Sequence, residues 1–115
     1  MEKNCIFCNI INGNISCKKI LESNEMLSFK DANPIALNHL LIVPKIHISN
    51  IAEINICKNK LSSKIFFFIN EVVEKENINK SYRLVINKGE KSGQSISHFH
   101  IHLLSSSNKM CWPPC

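Results

Sequence analysis

The segment INKGEKSGQSISHFHIHLL, from Ile86 to Leu104, contains three of the five histidines of the chain, at positions 98, 100 and 102. On a β-strand, residues two apart point to the same face, roughly 6.5–7 Å from one another. The alternation in HFHIHLL therefore predicts a strand that directs all three imidazoles to one face. The opposite face then belongs to the hydrophobic core and carries Phe99, Ile101 and Leu103. One isolated histidine is more often a structural residue, but three in a row beside a glycine-containing loop indicate a functional site.

Two kinds of chemistry suit this row of histidines. His-x-His is a good metal chelate, because neutral imidazole is the commonest metal ligand in proteins. Alternatively, one imidazole is a nucleophile and its neighbours hold it in the correct tautomer. The preceding loop, NKGEKSGQS, contains Gly89 and Gly93, two of the 3 glycines of the chain. Glycine lets the backbone turn its N–H groups toward an anion, and Gln94 and Ser95 add side-chain donors. The combination favours attack by a histidine on a phosphoryl centre.

The rest of the chain predicts an α+β domain with an antiparallel sheet. CIFCNIING, from Cys5 to Gly13, is typical of a short helix or knuckle closed by glycine. The stretch from Leu61 to Glu76 has helical spacing of apolar residues. Strands follow one another without crossover helices, which favours antiparallel pairing. The predicted strands are KKILES, MLSFKD, HLLIVPK, YRLVINK and HFHIHLL. A length of 115 residues indicates one domain over residues 1–115.

The long predicted helix has an unusually broad apolar surface. Phe66, Phe67 and Val73 widen it beyond the stripe formed by the residues spaced at helical intervals. A small domain can hardly cover so wide a face alone, so we expect a partner subunit against this helix.

The composition excludes several classes of protein. The densest apolar run, IFFFI from Ile65 to Ile69, is far too short to cross a membrane. The start of the chain, MEKNCIFC, does not resemble a secretory signal, so we expect a cytoplasmic protein with reduced cysteines. The net charge of +5 permits anionic partners, but the lysines are scattered and not interleaved with aromatic residues. We therefore expect no nucleic-acid binding.

SHFHIHLL, preceded by GQS, resembles the signature of the histidine triad (HIT) superfamily. The similarity extends through CIFCNIINGNI, FKDANPIALNHLLIVPKIHIS, YRLVINKG and the terminal CWPPC, which together span nearly the whole chain. It is similar to the Hint branch, the nucleoside phosphoramidate hydrolases, and the tail Trp112-Pro113-Pro114 favours this branch over the dinucleoside polyphosphate hydrolases. The resemblance implies a HIT-like fold, with a five-stranded antiparallel sheet, one long helix and one or two short helices. It also implies a homodimer in which the two sheets form one continuous ten-stranded sheet.

The resemblance implies roles for individual residues. His100 attacks the α-phosphorus of an AMP-type substrate and forms a covalent nucleotidyl-imidazole, which water then hydrolyses. His102 contacts the phosphate, His39 supports the triad from a neighbouring strand, and Asp31 holds the ribose hydroxyls. The apolar walls around the base are Phe7, Ile10 and Phe29. The phosphate and leaving-group contacts are Asn87, Gly93, Gln94 and Ser95, and Trp112 is a further substrate contact.

The residue chemistry agrees with these roles but leaves alternatives. A carboxylate can accept both ribose hydroxyls, whereas beside the phosphate it would repel the substrate. Asp31 could also be a turn residue before Asn33 and Pro34, and the apolar residues could be ordinary core. A neutral imidazole is a competent nucleophile at cytoplasmic pH. The leaving amine must acquire a proton, which Ser95 and the histidine network could deliver.

CIFC places Cys5 and Cys8 at C-x-x-C spacing, the first half of a zinc site. The resemblance to a zinc-containing subset of the family implies that His47 and His98, the first histidine of the triad, complete the site. A closed shell of two cysteines and two histidines is structural rather than catalytic. The alternative is a pair of buried thiols, with His47 as a residue at the start of a helix.

The function expected from these features is hydrolysis of the P–N bond in purine nucleoside phosphoramidates, that is, in derivatives of AMP or GMP. The alternatives are a purine-nucleotide-binding adaptor with incidental turnover, a dinucleoside polyphosphate hydrolase, and a zinc-stabilised scaffold whose histidines serve only the metal. The glycine loop and Asp31 count against the scaffold, which needs neither. Ser97 stands where many members of the family have a larger residue, and we expect Ser97 and Cys111 to affect leaving-group preference.

Overall fold

The structure, a computed structural model, describes residues 4–56 and 60–111 and is built on a five-stranded antiparallel sheet. The strands are β1 (Lys19–Glu22), β2 (Met26–Lys30), β3 (Asn38–Pro44), β4 (Arg83–Val85) and β5 (Ile101–Ser105). Their order across the sheet is β1-β2-β3-β5-β4. The helices are α1 (Ile6–Ile11) and α2 (Leu61–Lys75), with 3-10 helices at Ile51–Ile56 and Glu90–Ser92. The predicted α+β fold with one long helix is confirmed.

Strand β3 is the centre of the sheet. Its sequence NHLLIVP is a continuous apolar run, which is typical of a strand buried on both faces. Leu40 and Ile42 belong to one core cluster, whereas Leu41 and Val43 belong to another. The two clusters therefore lie on opposite faces of the sheet.

Helix α2 covers the first of these faces. Its residues Leu61, Ile65, Phe68, Ile69, Val72 and Val73 are buried, at the helical spacing that the sequence predicts. They pack in one cluster with Leu40 and Ile42 of β3 and with Ile101 and Leu103 of β5. No helix in residues 4–56 and 60–111 is both long and apolar enough to cross a membrane.

Helix α1 is associated with the second face, where Phe7 and Cys8 pack with Leu27, Phe29, Leu41 and Val43. It begins after Cys5, whose sulfur accepts a hydrogen bond from the backbone N–H of Cys8. Asn12 ends the helix, and Gly13 follows with φ of 84°. Glycine adopts this left-handed conformation without the steric cost of a Cβ, so it closes the helix as predicted.

Strand β5 begins at Ile101, three residues later than His98, where the sequence predicts the strand to start. The register pairs Ile42 with Ile101, so the next two positions would pair Val43 with His100 and Pro44 with Phe99. Pro44 has no N–H and cannot continue the ladder. The N–H of Phe99 instead donates to the carbonyl of Ile48 at 2.7 Å. The predicted alternation of faces persists nevertheless, because Phe99 still packs in the α2 cluster.

Candidate functional site

A cavity of about 830 Å³ opens beside α1 and the second face of the sheet. Its lining combines apolar side chains with carboxylate, hydroxyl and imidazole groups. Seven residues that the sequence assigns to nucleotide binding or catalysis lie in this lining: Phe7, Ile10, Phe29, Asp31, Ser95, His100 and His102. Residues distant in the sequence therefore meet in one cavity large enough for a small-molecule ligand.

His100 is buried and has a defined tautomer. Its Nδ1 lies 2.7 Å from the backbone carbonyl oxygen of His98, and a carbonyl can only accept a hydrogen bond. Nδ1 therefore carries the hydrogen, and the neutral ring keeps its lone pair on Nε2. Phe7 packs edge-on against this ring, with ring centroids 5.1 Å apart. These contacts fix the ring orientation and leave one nitrogen as a nucleophile.

A second hydrogen-bond series fixes His102. The backbone N–H of Ile35 donates to Nδ1 of His39 at 3.2 Å, so the hydrogen of neutral His39 is on Nε2. That Nε2 lies 2.9 Å from Nδ1 of His102 and donates to it. The neutral ring of His102 then carries its own hydrogen on Nε2. His102 lines the cavity as a hydrogen-bond donor, whereas His100 lines it as a lone-pair donor.

Burial keeps both supporting imidazoles neutral. It is the main cause that lowers the pKa of His102 to about 4, and the neighbouring His100 and His39 lower it further, while Asp31 acts in the opposite direction. Burial likewise lowers the pKa of His39, against the opposing charge of Asp31. At neutral pH the series from His39 to His102 is therefore uncharged, as the tautomer assignment requires.

Asp31 has two partners in the structure. Its Oδ1 accepts the N–H of Asn33 at 2.8 Å, which is an Asx-turn of the kind that the sequence offers as an alternative role. Its Oδ2 lies 3.3 Å from Nε2 of His39. A metal ion could be held by three close residues, Asp31, His39 and His102. However, Nδ1 of His39 accepts the Ile35 N–H, so Nε2 carries the hydrogen of the neutral ring and has no lone pair for a metal ion. We interpret the three residues as a hydrogen-bond network, in which the carboxylate keeps acceptor capacity toward the cavity.

Cys5, Cys8, His47 and His98 form a separate group that could hold a metal ion. Nδ1 of His98 lies 3.3 Å from Sγ of Cys5 and 3.6 Å from Sγ of Cys8, and Nδ1 of His47 lies 3.3 Å from Sγ of Cys8. A tetrahedral zinc ion with bonds of about 2.0–2.3 Å separates its ligand atoms by roughly 3.3–3.8 Å. The structure brings together the cysteine pair predicted from its spacing and the two histidines that the resemblance implies, and the three separations given above fall within this range.

The surroundings of His98 suit a metal ligand. Its Nε2–H donates to the carbonyl of Pro44 at 2.9 Å, which leaves the lone pair on Nδ1, facing the two sulfurs. Metal-bound histidines usually make this kind of hydrogen bond with their second nitrogen. Burial is also the main cause that lowers the pKa of His98 to about 4, so the ring is neutral and able to ligate.

The triad is thus divided between two sites. The rings of His100 and His102 line the cavity, whereas the ring of His98 faces the two cysteines. The backbone carbonyl of His98, and not its ring, accepts the hydrogen bond from His100. The alternation of the sequence places three rings on one face, but it does not reveal that only two of them reach the cavity.

The glycine loop is braced internally. Gly89 and Gly93 have φ of 89° and 99°, and the amides of Ser92, Gly93 and Gln94 all donate to carbonyls within the loop. The side chain of Gln94 donates to the carbonyls of Ser49 and Ile96 and accepts from the N–H of Gly89. Three predicted phosphate or leaving-group contacts, Asn87, Gly93 and Gln94, lie outside the cavity lining. Ser95 is the loop residue that lines it, and Trp112 lies outside the described residues.

Sequence reasoning missed several parts of the site. Lys18, Lys30, Ile6 and Ile96 also line the cavity. The amide of Ile35 and the carbonyl of Pro44, which set two of the tautomers, are backbone groups. Such groups occur at every residue, so no pattern of side chains could have indicated them.

Comparisons with known proteins identify the family. A family model described as "Scavenger mRNA decapping enzyme C-term binding" matches residues 4–113. The chain is 44% identical over 101 residues to a HIT-like protein of Helicobacter pylori, which covers 87% of this chain and 94% of that protein. It is 33% identical over 112 residues to adenylylsulfatase HINT3 of Arabidopsis thaliana, covering 96% of this chain and 56% of that protein.

Solved structures agree. A HIT family hydrolase from Legionella pneumophila superposes with a TM-score of 0.88 at 37% identity, covering 97% of this chain and 100% of that one. A histidine triad nucleotide-binding protein from Candida albicans superposes with a TM-score of 0.81 at 27% identity, covering 97% and 85%. The chain belongs to the histidine triad family, as the sequence resemblance implies.

We expect the ring of His102 to titrate near pH 4, well below a histidine in an unfolded chain, because burial disfavours its charged form. Between about pH 6.5 and that value the unfolded chain binds more protons than the native protein, so stability falls as the pH is lowered. Ring-proton chemical shifts measured against pH, assigned with the variant His102→Asn, give the midpoint. The same variant should weaken the pH dependence of the urea midpoint between pH 7 and pH 5. A His102 midpoint at or above pH 6.5 would contradict the assignment.

Proposed function

We propose that the protein is a purine nucleoside phosphoramidate hydrolase of the Hint branch, which cleaves a P–N bond through a covalent nucleotidyl intermediate on His100. The observation that carries this proposal is the pairing of two imidazoles with opposite hydrogen-bonding roles in one cavity. His100 presents a lone pair on Nε2, and His102 presents an N–H. A phosphoryl centre needs both, a nucleophile for phosphorus and a donor for its oxygens.

The cavity supports a nucleotide as the ligand. Phe7 and Phe29 pack edge to face with centroids 5.7 Å apart and form, with Ile10, an apolar wall suited to a purine. We place the ribose beside Asp31, between this wall and the histidines. Its hydroxyls donate to the carboxylate lone pairs that the hydrogen bond from Asn33 leaves unused. The α-phosphate then lies between His100 and His102. Trp112 stays a predicted contact.

The first chemical step forms one bond and breaks one. The Nε2 lone pair of His100 attacks the α-phosphorus, and the P–N bond to the leaving group breaks with its electron pair on nitrogen. That nitrogen takes a proton, which we assign to the hydroxyl of Ser95 and the hydrogen-bonded histidines, and departs as a neutral amine. Nδ1–H of His100 remains on the His98 carbonyl, where the positive charge that develops on the ring is stabilised.

The second step restores the enzyme. Water attacks the phosphorus of the nucleotidyl-histidine, its proton returns to the same network, and the bond from phosphorus to Nε2 breaks. The products are the nucleoside monophosphate and free His100, and one water is consumed for each amine released. The Nε2–H of His102 stabilises charge on the phosphate oxygens in both steps.

The names of two relatives support a nucleotide substrate. Adenylylsulfatase HINT3 is named for hydrolysis of an adenylyl compound, and the Candida albicans structure is named as nucleotide-binding. The Legionella pneumophila relative is named a hydrolase. The two histidines in the cavity are suited to displacing a leaving group from the α-phosphorus of a nucleotide.

Replacing His100 with Asn should lower kcat/KM for a fluorogenic adenosine phosphoramidate by at least about 10³-fold, because it removes the nucleophile. The Asn amide can still donate to the His98 carbonyl, so the variant should fold and bind AMP with a similar Kd. Steady-state kinetics and calorimetric titration with AMP measure both quantities, and Ser106→Ala, at an exposed position, is the control. Equal slow turnover by wild type and His100→Asn, with AMP still bound, would favour the nucleotide-binding adaptor instead.

We further propose that Cys5, Cys8, His47 and His98 hold a structural zinc ion. Neither cysteine is in a disulfide, and the backbone N–H of Cys8 donates to Sγ of Cys5 at 3.3 Å, which holds the two cysteines close together. When bound, zinc would supply no chemistry to the reaction and would tie α1 to the residues before β5. Ligation requires reduced cysteines, which goes with the cytoplasmic location predicted from the sequence.

Purified protein should contain about one zinc per chain, and Cys8→Ser should lose it, because a structural site needs all four ligands. Cys17→Ser is the matched control, since Cys17 lies outside the group. Metal analysis by mass spectrometry gives the content, and thermal unfolding should show a lower Tm for Cys8→Ser alone. Wild-type protein from zinc-supplemented growth that carries almost no metal would overturn the proposal.

We propose that two chains form a homodimer through α2 and β4. Phe66 and Phe67 of α2 are 59% and 69% exposed, a large apolar surface for one helix. Among the described strands β4 is at an edge of the sheet, and Leu84 and Ile86 on or next to it are exposed apolar residues. Pairing of the β4 edges of two copies would remove an open edge and give the ten-stranded sheet that the resemblance implies.

The variant Phe67→Glu should convert the dimer to a monomer, because a charge cannot be buried unpaired at the centre of an apolar interface. Leu37→Glu is the control, since Leu37 is similarly exposed at 72% but lies outside α2 and β4. Light scattering coupled to gel filtration should give twice 13.1 kDa for wild type and the control, and 13.1 kDa for Phe67→Glu. A wild-type mass of one chain at about 100 µM would refute the dimer.

A further inference from the structure

A second cavity, of about 370 Å³, adjoins the nucleotide cavity. The two cavities share Ile6, Ser95 and Ile96 in their linings, so they meet across these three residues. The residues that line the second cavity but not the first are Asn4, Cys5, His47 and Ser97. Its volume falls within the range of about 300–1,000 Å³ that small-molecule sites occupy.

The two cavities differ in charge. Lys18, Lys30 and Asp31 line the nucleotide cavity, whereas the lining of the second cavity, within residues 4–56 and 60–111, contains no lysine, arginine, aspartate or glutamate. The polar groups of the second cavity include the hydroxyls of Ser95 and Ser97 and the amide of Asn4. Each of these groups can both donate and accept a hydrogen bond.

We propose that the second cavity holds the substituent of the leaving amine and that it selects a small, uncharged polar substituent such as a carboxamide. The inference rests on the proposed P–N hydrolysis. In an in-line displacement the leaving nitrogen is opposite the attacking Nε2 of His100. Ser95, assigned to that nitrogen, lies in the linings of both cavities. A substituent that continues from the nitrogen past Ser95 enters the second cavity.

The preference for an uncharged substituent follows from the lining. A carboxamide presents two donors and an acceptor, which the serine hydroxyls and the Asn4 amide can satisfy. A carboxylate in the same place would lose part of its hydration without gaining a positively charged partner from these residues. Phosphoramidates of an amino-acid amide and of the corresponding amino acid therefore have the same shape but should differ in turnover.

Three substrates test the proposal: adenosine 5′-phosphoramidate itself and its N-derivatives of glycinamide and glycine. We expect wild-type kcat/KM for the glycinamide derivative to exceed that for the glycine derivative by about tenfold, which corresponds to about 1.4 kcal/mol. Ser97→Phe, which fills the cavity, should lower the ratio of glycinamide to unsubstituted turnover at least tenfold. Ser97→Ala leaves the space open but removes one hydroxyl of the lining, so it should lower this ratio less than Ser97→Phe does.

Ser97 is next to His98, so Ser97→Phe could also disturb the metal group. A second filling variant, Asn4→Phe, is distant from His98 in the sequence and should lower the same ratio. Metal content and Tm are measured for every variant. Two results would overturn the leaving-group cavity but not the hydrolase function. In the first, the wild type turns over the unsubstituted substrate, and neither filling variant lowers the ratio of glycinamide to unsubstituted turnover. In the second, the wild type turns over the glycine derivative faster than the glycinamide derivative. Absence of turnover of all three substrates by wild type would overturn the proposed hydrolase function, and this inference with it.

Discussion

The hydrogen bond from Nδ1 of His100 to the carbonyl of His98, at 2.7 Å, is the contact on which the proposed chemistry depends. It selects one tautomer of a buried imidazole and so decides which nitrogen can reach a ligand. It also requires the His98 carbonyl to stay in place. The ring of His98 is fixed by the Pro44 carbonyl on one side and by the cysteine pair on the other. The metal group and the cavity are therefore linked through a single residue that contributes its ring to one and its backbone to the other.

Because side chains alternate between the two faces of a strand, a small protein can build its core and its site on the same strands. Residues at odd positions around β5 pack under α2, while the histidines between them face the opposite side of the sheet. β3 alternates in the same way, with His39 on the histidine side opposite Leu104 in the register. One pair of strands thus supplies both the main core and the site. A slip of one residue in that register would exchange the two faces and destroy both.

Local features of the structure could be predicted from the sequence. The spacing of apolar residues gave α2 to within one residue, and the alternation in HFHIHLL placed Phe99, Ile101 and Leu103 in the core. Cys5 and Cys8 were predicted from their C-x-x-C spacing, whereas His47 and His98 were named only through the resemblance, because Cys5 and His98 are separated by 93 residues. Spacing along the chain carries no information about contacts over such a distance. Only three-dimensional packing brings them together.

Other parts of the site depend on backbone groups and could not be predicted. Gly93 and Gln94 suggested an anion cradle, yet the loop amides and the Gln94 side chain are used within the loop and by Ser49. Ser95, the next residue along the chain, lies in the linings of both cavities. The direction of the His98 ring, away from the cavity, depends on the Pro44 carbonyl and on sulfur atoms from the start of the chain. These partners decide roles that residue identity alone leaves open.

The proposed chemistry is tested most directly by identifying the atom that carries the nucleotide during turnover. Wild-type protein is mixed with an adenosine phosphoramidate, quenched within one turnover, digested, and the modified peptide is examined by mass spectrometry and ³¹P nuclear magnetic resonance. We expect an adenylyl group on Nε2 of His100, because Nδ1 is held by the His98 carbonyl. An adenylyl group on Nδ1 of His100, or on another residue, would contradict the proposed chemistry.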